Sequence, residues 1–164
     1  MSRTPPVSTL PGALHIFHDT FPLVLGIAPR RYDASTIREM AAGYEQFFQR
    51  NEPYALLYVT PTGAALPDAG ARKLITAWLN SPRLLDFSSR LCVGSAAVVS
   101  NPLARNTLNA LLMFWSPPWP LRAVQTVNQG LEYCFDVLRT RRLLPVARAG
   151  VLRRLVGEHV RDML

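Results

Sequence analysis

Short apolar runs alternate along this chain with stretches whose apolar residues recur at helical spacing. The runs at residues 13–18 and 23–28 flank a turn that ends in proline. Two strand-forming runs joined by so short a turn predict a β-hairpin. After the hairpin, Asp33 or Ser35 can cap a helix, and the Asn-Glu-Pro sequence at residues 51–53 stops it.

Two later runs have the length and composition of strands that are buried on both faces. They are YALLYVT at residues 54–60 and LCVGSAAVVS at residues 91–100. Small residues around Gly94 in the second run indicate that a helix packs closely on it. A third run, LRAVQTV at residues 121–127, alternates apolar and polar residues, as an edge strand does.

Helical stretches separate and follow these strands. Asp68 can cap one helix, Asn101 begins another with proline at its first position, and Asn128 can cap the last of the series. Residues 84–87 form a short apolar link. The predicted order is β-β-α-β-α-β-α-β-α, which makes the fold class α/β, with one sheet and helices packed on it.

The pattern divides the chain into three segments. Residues 1–12, rich in Pro, Ser and Thr, predict a flexible arm, and residues 13–142 form the α/β domain. Residues 143–164 predict a basic amphipathic helix, because apolar residues occupy one face and arginines the other. The apolar face holds Val151, Leu152, Leu155, Val156, Val160 and Met163.

Composition excludes several classes of protein. Of the 164 residues, 49% are hydrophobic and 18% charged, which is typical of a folded chain and not of a disordered one. No apolar run approaches the ~20 residues that span a bilayer, and no basic start leads into an apolar stretch. We therefore expect a cytoplasmic protein with neither a membrane span nor a secretion signal.

The net charge of +7 invites a nucleic-acid interpretation, which its distribution does not favour. Residues 1–138 carry only +2, and residues 139–164 carry +5. Of the 18 basic residues, 17 are arginine, a skew that a GC-rich genome also produces. A body that binds duplex DNA would carry its own basic stripe, so no nucleic-acid partner is expected.

An opening hairpin followed by alternating strands and helices over residues 13–140 resembles the STAS-like fold. This is the fold of bacterial anti-sigma-factor antagonists and of the cytoplasmic domains of sulfate transporters. The closing strand and helix at residues 121–139 are similar to those of an antagonist-like branch of unassigned role. The resemblance rests on the order of elements and implies a regulatory module that acts by binding protein.

The resemblance also locates a phosphorylation site, and this chain departs from it there. In antagonists the second crossover helix begins with an Asp-Ser-Ser/Thr-Gly turn, whose hydroxyl residue before the glycine is phosphorylated by a partner kinase. Residues 67–70 read PDAG, so Asp68 fits the turn but Ala69 replaces the acceptor. In this alignment Ala69 cannot be phosphorylated. Thr60 and Thr62 in the preceding loop are alternative acceptors, although ordinary loop threonines are the simpler interpretation.

Catalytic residue types cluster only at His15, His18 and Asp19. Residues three apart on a strand face opposite sides, so His15 and His18 are not expected to bind one metal ion. His18 and Asp19 could orient each other in a small hydrolase or transferase, but no nucleophile lies near them in sequence. Cys92 and Cys134 are interpreted as reduced core residues. With no glycine-rich phosphate loop, CxxC or GxSxG motif, we expect no enzymatic activity, cofactor or metal.

Residues 111–120, LLMFWSPPWP, suggest an exposed apolar surface. A helix buries one apolar stripe, and other residues of this helix supply it, which leaves Leu112, Met113 and Trp115 partly outside. Together with Trp119 on the proline-rich loop they form a patch of the kind found in interface cores. The alternatives are a contact with a protein partner, such as a second copy in a homodimer, and a helix buried more deeply than usual.

The arginines of the C-terminal helix form a second candidate surface: Arg148, Arg153, Arg154 and Arg161. This helix could dock on the sheet, pack on another protein or lie on an anionic membrane. The absence of Trp, Phe and Lys from it favours a protein contact. The sequence therefore predicts a non-enzymatic protein-interaction module of regulatory or assembly type, with a peripheral membrane or lipid-binding protein as the alternative.

Overall fold

The computed structural model describes residues 15–114 and 116–161 of the chain. The predicted arm at residues 1–12 lies outside them. An opening pair of strands followed by alternating helices and strands confirms the predicted α/β class. The described elements are β1 (His15–Phe17), β2 (Leu23–Ile27), α1 (Ala34–Phe48), β3 (Tyr54–Val59), α2 (Ala69–Leu79), α3 (Pro82–Leu91), β4 (Cys92–Val98), α4 (Pro102–Phe114), β5 (Leu121–Val124), α5 (Val127–Thr140) and α6 (Val146–Arg161).

The five strands form one sheet in the order β1-β2-β3-β4-β5. β1 pairs antiparallel with β2, which confirms the hairpin, and β2 to β5 are parallel neighbours. Parallel crossovers are right-handed, so crossovers that all advance in one direction place their helices on the same face. α1 to α4 lie on that face. α5 and α6, which follow β5, cover the opposite face.

The α5–α6 face holds the larger core. Alternate side chains of the strands point to it, and the buried faces of both helices close over them. In α6, Leu152 and Val156 have no exposed surface. The C-terminal helix therefore packs on its own sheet. Residues of the core on the α5–α6 face include Leu23, Leu25, Ile27, Leu57, Val98, Phe135, Leu138, Leu152, Val156 and Val160.

The opposite face is covered unevenly. Its buried residues gather under α1 and α3 and include Met40, Tyr44, Phe47 and Leu84. By contrast, α2 buries only Ala71, and none of the described side chains of α4 is buried. The sheet between α2 and α4 is therefore less tightly covered than the sheet under α1 and α3.

Local capping signals explain where most helices begin. The Asp33 carboxylate accepts from the Thr36 amide at 2.9 Å, and the Asp33 amide donates to the Thr36 hydroxyl. α5 begins one residue before Asn128, the predicted cap. Thr126 is the cap instead, because Gln129 completes a reciprocal pair of hydrogen bonds with it.

Residues 82–91 form the helix α3, so the prediction of a short apolar link at residues 84–87 is wrong. Its apolar and polar residues segregate at the helical period, and the buried ones, Leu84 and Ser88, lie one helical turn apart. A proline at the first position favours the helical start. The exposed side gains an ion pair between Asp86 and Arg90, 2.9 Å apart and four residues from each other.

Close packing of α5 on β4 explains the glycine in that strand. A Cβ at Gly94 would lie 3.1 Å from a methyl of Val137 and 3.3 Å from the Tyr133 hydroxyl. The prediction that a helix packs closely over Gly94 is therefore confirmed.

Candidate functional site

An apolar cavity of about 280 Å³ lies between the sheet and the helices of the α1–α4 face. We call it the inner cavity. Its floor consists of side chains that alternate along the strands onto this face, and its walls come from all four helices and from Trp119. Typical members are Leu56, Ala97 and Leu121 of the floor and Ile75, Trp78 and Leu108 of the walls.

Four tyrosines line the inner cavity: Tyr32, Tyr44, Tyr54 and Tyr58. The hydroxyls of Tyr32 and Tyr58 are 3.1 Å apart, and Tyr58 donates to the sulfur of Met40 at 3.7 Å, a weak acceptor. Tyr44 is 7% exposed, and its hydroxyl has no hydrogen-bond partner within the described part of the chain. Burial raises the pKa of the Tyr44 and Tyr58 phenols well above the ordinary value. Both are therefore neutral donors at physiological pH.

The position of Tyr58 depends on a glycine in the neighbouring strand. Gly26 is the register partner of Tyr58, and a Cβ at Gly26 would lie 2.9 Å from the Tyr58 ring. β2 thus leaves space for the phenol ring to lie flat over the sheet and to reach the cavity.

A second space of about 440 Å³, the outer chamber, lies at the carboxyl ends of β3 and β4. The loops at residues 60–67 and 99–101 form much of it. Tyr32, Ile75 and Leu108 line both spaces, so the outer chamber adjoins the inner cavity. Ligands of open α/β sheets bind outside the carboxyl ends of parallel strands, which is where the outer chamber lies.

Three arginines hold the loops of the outer chamber, and Arg72 also lines it. None of the three forms a salt bridge with a carboxylate among the described residues. The chamber therefore carries positive charge that described acidic groups do not neutralise by direct pairing. The hydrogen bonds run from Arg30 to the Thr62 carbonyl (3.0 Å), from Arg72 to the Pro67 carbonyl (3.3 Å) and from Arg105 to the Val99 carbonyl (3.0 Å).

A polar groove of about 750 Å³ follows the open edge of β5, between α4 and α5. β5 is the last strand of the sheet, which confirms the predicted edge position. The carbonyls of Pro120 and Val124 accept hydrogen bonds from β4, at 2.7 and 2.9 Å. Because residues alternate in direction along a parallel strand, the backbone groups of Leu121 and Ala123 point away from β4, and Ala123 lines the groove.

The predicted patch at residues 112–119 is divided by the structure. Met113 is 82% exposed and Leu112 is half-buried. Trp119 packs on the core of the α1–α4 face and lines the inner cavity, so it faces inward. Trp115 lies outside the described residues. The part of the patch that the structure leaves on the surface is therefore the end of α4.

Three of the four candidate arginines on α6 contact other groups of the chain, two of them outside α6. Arg148 donates to the Phe21 carbonyl at 2.8 Å, and Arg153 bonds to Asn128 at 2.7 Å and to Glu132. Arg154 pairs with Glu158 one turn away, at 3.8 Å, and Arg161 is exposed. Contact with a membrane through the apolar face of α6 would require the helix to leave the sheet.

The candidate phosphorylation residues have different environments. Thr60 is half-buried and lines the outer chamber, whereas Thr62 is exposed and offers its carbonyl to Arg30. Asp68 caps α2, accepting from the Ala71 amide at 2.7 Å. The turn of residues 67–70 thus begins the second crossover helix, as the resemblance implies.

The histidines near the start do not form one cluster. His15 is buried with neither ring nitrogen hydrogen-bonded to a described residue, while His18 packs near Phe47. Burial, and then the charge of Arg50, lowers the pKa of His18. Asp19 pairs with His159 at 2.8 Å and not with His18. Among the described residues, no three His, Cys, Asp or Glu side chains converge as metal ligands would.

The two cysteines should be chemically inert in the folded protein. Both are buried free thiols, and burial raises the pKa of Cys92 and of Cys134 to about 12. We expect neither to react with Ellman's reagent at pH 8 within minutes, and both to react once guanidinium unfolds the chain. Rapid modification of the native protein would contradict the buried positions.

No protein-family model, curated protein or solved structure matches this chain. The resemblance to STAS-like domains therefore stays a prediction. None of the described helices is long and apolar enough to cross a bilayer. Sequence reasoning did not single out the cavity tyrosines, although YALLYV in β3 places Tyr54 and Tyr58 on one face by simple alternation.

Proposed function

We propose that this chain is a non-enzymatic protein-binding module of a regulatory or assembly system, and that β5 receives an extended segment of the partner. The observation that carries the proposal is the polar groove along the open edge of β5. An unpaired strand edge offers a row of backbone donors and acceptors, which an extended peptide satisfies by adding a strand.

The backbone of β5 defines what can bind there. Leu121 and Ala123 direct their N–H and C=O groups away from β4. The next outward amide, that of Gln125, is already bonded to the Gln129 side chain at 3.0 Å. The free edge is therefore short, and main-chain pairing over these residues needs side-chain contacts to add affinity.

The exposed end of α4 supplies such a contact. Arg105 and Asn109 line the groove, and Met113 follows them at four-residue spacing on adjacent turns of the helix. Met113 therefore extends the wall of the groove toward the start of β5. Its thioether is flexible and suits an apolar side chain of the partner.

The opposite wall is formed by α5 and carries polar and acidic groups, among them Asn128, Glu132 and Asp136. Arg122 stands over the Tyr133 ring, 4.8 Å from its centre. Charges of both signs and several amides favour a partner segment that is polar along most of its length, with one apolar anchor beside Met113.

Selection from a displayed library of random extended peptides tests this assignment. We expect enriched peptides to bind the wild type, to lose about tenfold in affinity with Ala123→Pro, which removes an outward donor, and to weaken with Met113→Asp. Proline is tolerated on an edge strand when its missing N–H faces outward. Amide exchange at Leu121 and Ala123 should slow in the complex.

Matched variants control for general damage. Ala69→Pro places proline at the first position of α2, where the amide is not needed, and Leu103→Asp charges another side of α4. Both should bind selected peptides as the wild type does. Selected peptides that bind Ala123→Pro with unchanged affinity, or a failure to enrich any peptide, would overturn the proposal.

A further inference from the structure

The inner cavity and the outer chamber together have the form of a ligand site that the protein-binding role does not use. The inner cavity is deep and mainly apolar, and it meets the outer chamber at Tyr32, Ile75 and Leu108. Natural cores are packed with few voids larger than a water molecule. A space of about 280 Å³ is nearly twice the ~150 Å³ of an engineered cavity that stays dry and binds benzene.

The tyrosine hydroxyls inside this space differ in their hydrogen-bond partners. The Tyr44 hydroxyl has none among the described residues, although the residue is 7% exposed and lines the inner cavity only. The Tyr58 hydroxyl shares a hydrogen bond with the Tyr32 hydroxyl at 3.1 Å and lies 3.7 Å from the sulfur of Met40. An oxygen of a ligand in the inner cavity would give the Tyr44 hydroxyl a hydrogen-bond acceptor.

The outer chamber, which is the entrance, is positively charged, whereas the inner cavity is apolar. Arg72 lines the outer chamber, and Arg30 and Arg105 hold its loops without salt bridges to described carboxylates. Asp68, one helical turn before Arg72, caps α2 through the Ala71 amide and forms no ion pair with Arg72. An apolar interior behind a cationic entrance selects for a molecule with an apolar body and one anionic end.

We propose that the cavity between α2 and α4 binds an elongated amphiphilic carboxylic acid, with the carboxylate at Arg72 of the outer chamber and the apolar body in the inner cavity. A hydrogen-bond acceptor at the far end of the body meets the Tyr44 hydroxyl. A small molecule, and not another helix, would thus cover the sheet between α2 and α4.

Calorimetric titration with decanoate, below its micellar concentration, tests the proposal on the full chain. We expect saturable 1:1 binding that Ala97→Leu abolishes, since the added side chain occupies the cavity floor. Arg72→Gln, which removes the arginine that lines the outer chamber, should weaken decanoate about tenfold and leave decanol unaffected. Arg154→Gln on α6, which lies on the other face of the sheet, is the matched control and should change nothing.

The same titration tests the hydrogen bond between the Tyr44 hydroxyl and the far end of the ligand. We expect the wild type to bind 10-hydroxydecanoate more tightly than decanoate. Tyr44→Phe, which keeps the ring and the fold, should bind the two acids with equal affinity. Equal affinity of the two acids for the wild type would overturn the role of Tyr44.

Three results would overturn the site itself: no saturable binding of decanoate, unchanged binding to a folded Ala97→Leu variant, or binding of decyltrimethylammonium as tightly as decanoate. Thermal unfolding of each variant establishes that it is folded. If Ala97→Leu does not fold, Leu108→Phe, at the junction of the two spaces, replaces it. Peptide binding at β5 is measured separately, so failure of one site leaves the other assignable.

Discussion

Leu152→Ala should lower the free energy of unfolding by about 3 kcal/mol. Leu152 is fully buried in α6, in the same core as Phe135 and Leu57. Removing its side chain costs the transfer free energy of the lost methyl groups and leaves a cavity that a packed core fills only partly. Urea denaturation followed by circular dichroism measures the change.

The neighbouring residue provides the control. Val151 is 44% exposed, and Val151→Ala should change the free energy of unfolding by no more than about 0.5 kcal/mol. Equal, small effects of the two substitutions would mean that α6 is not part of the core in solution. That result would also restore the apolar face of α6 as a candidate for contact with a membrane or another protein.

Gly130→Val should lower the free energy of unfolding by about 3 kcal/mol. Gly130 is buried where α5 crosses the sheet, and a Cβ there would lie 2.5 Å from Leu57 and 3.1 Å from Val98. Both neighbours are themselves buried, so neither can rotate away without displacing others. The added side chain must push the helix off the strands.

The same substitution at Gly157 should change the free energy of unfolding in the opposite direction. Gly157 lies in α6 with no atom within 4 Å of an added Cβ, so Gly157→Val should raise the free energy of unfolding by about 0.3 kcal/mol through helix propensity alone. Thermal unfolding of both variants measures the difference. Similar behaviour of the two would contradict the close approach of α5 to β3 and β4.

Several elements could be predicted from the sequence because their signals are local. Strand-forming runs on either side of a short turn predicted the β-hairpin, and the capping side chains of Asp33, Asp68 and Asn101 lie next to the helices that they start. The amphipathic period of α6 also predicted its apolar stripe, since Leu152, Val156 and Val160 recur at four-residue spacing, but not that this stripe packs on the sheet of its own chain.

α3 carries local helix signals, because its apolar and polar residues segregate at the helical period and Ser81-Pro82 stands at its N-cap and first position. Interpreting Ser81-Pro82 only as the end of α2 hid them.

Other features depend on distant contacts and carry little local signal. The cavity tyrosines come from three separate elements or loops and meet only when the sheet has formed. The sequence likewise predicted a surface position for Trp119, whereas in the fold this residue faces the inner cavity.

The order of the strands has a consequence for how the chain reaches its folded state. Every strand pairs with the strand that precedes it in sequence, so the sheet can grow from the hairpin outward as a ribosome releases the chain. The helices of one face arrive between the strands, but the other face receives its cover only with residues 127–161. Until they emerge, a sheet surface rich in leucine and valine is open to chaperones and to other nascent chains.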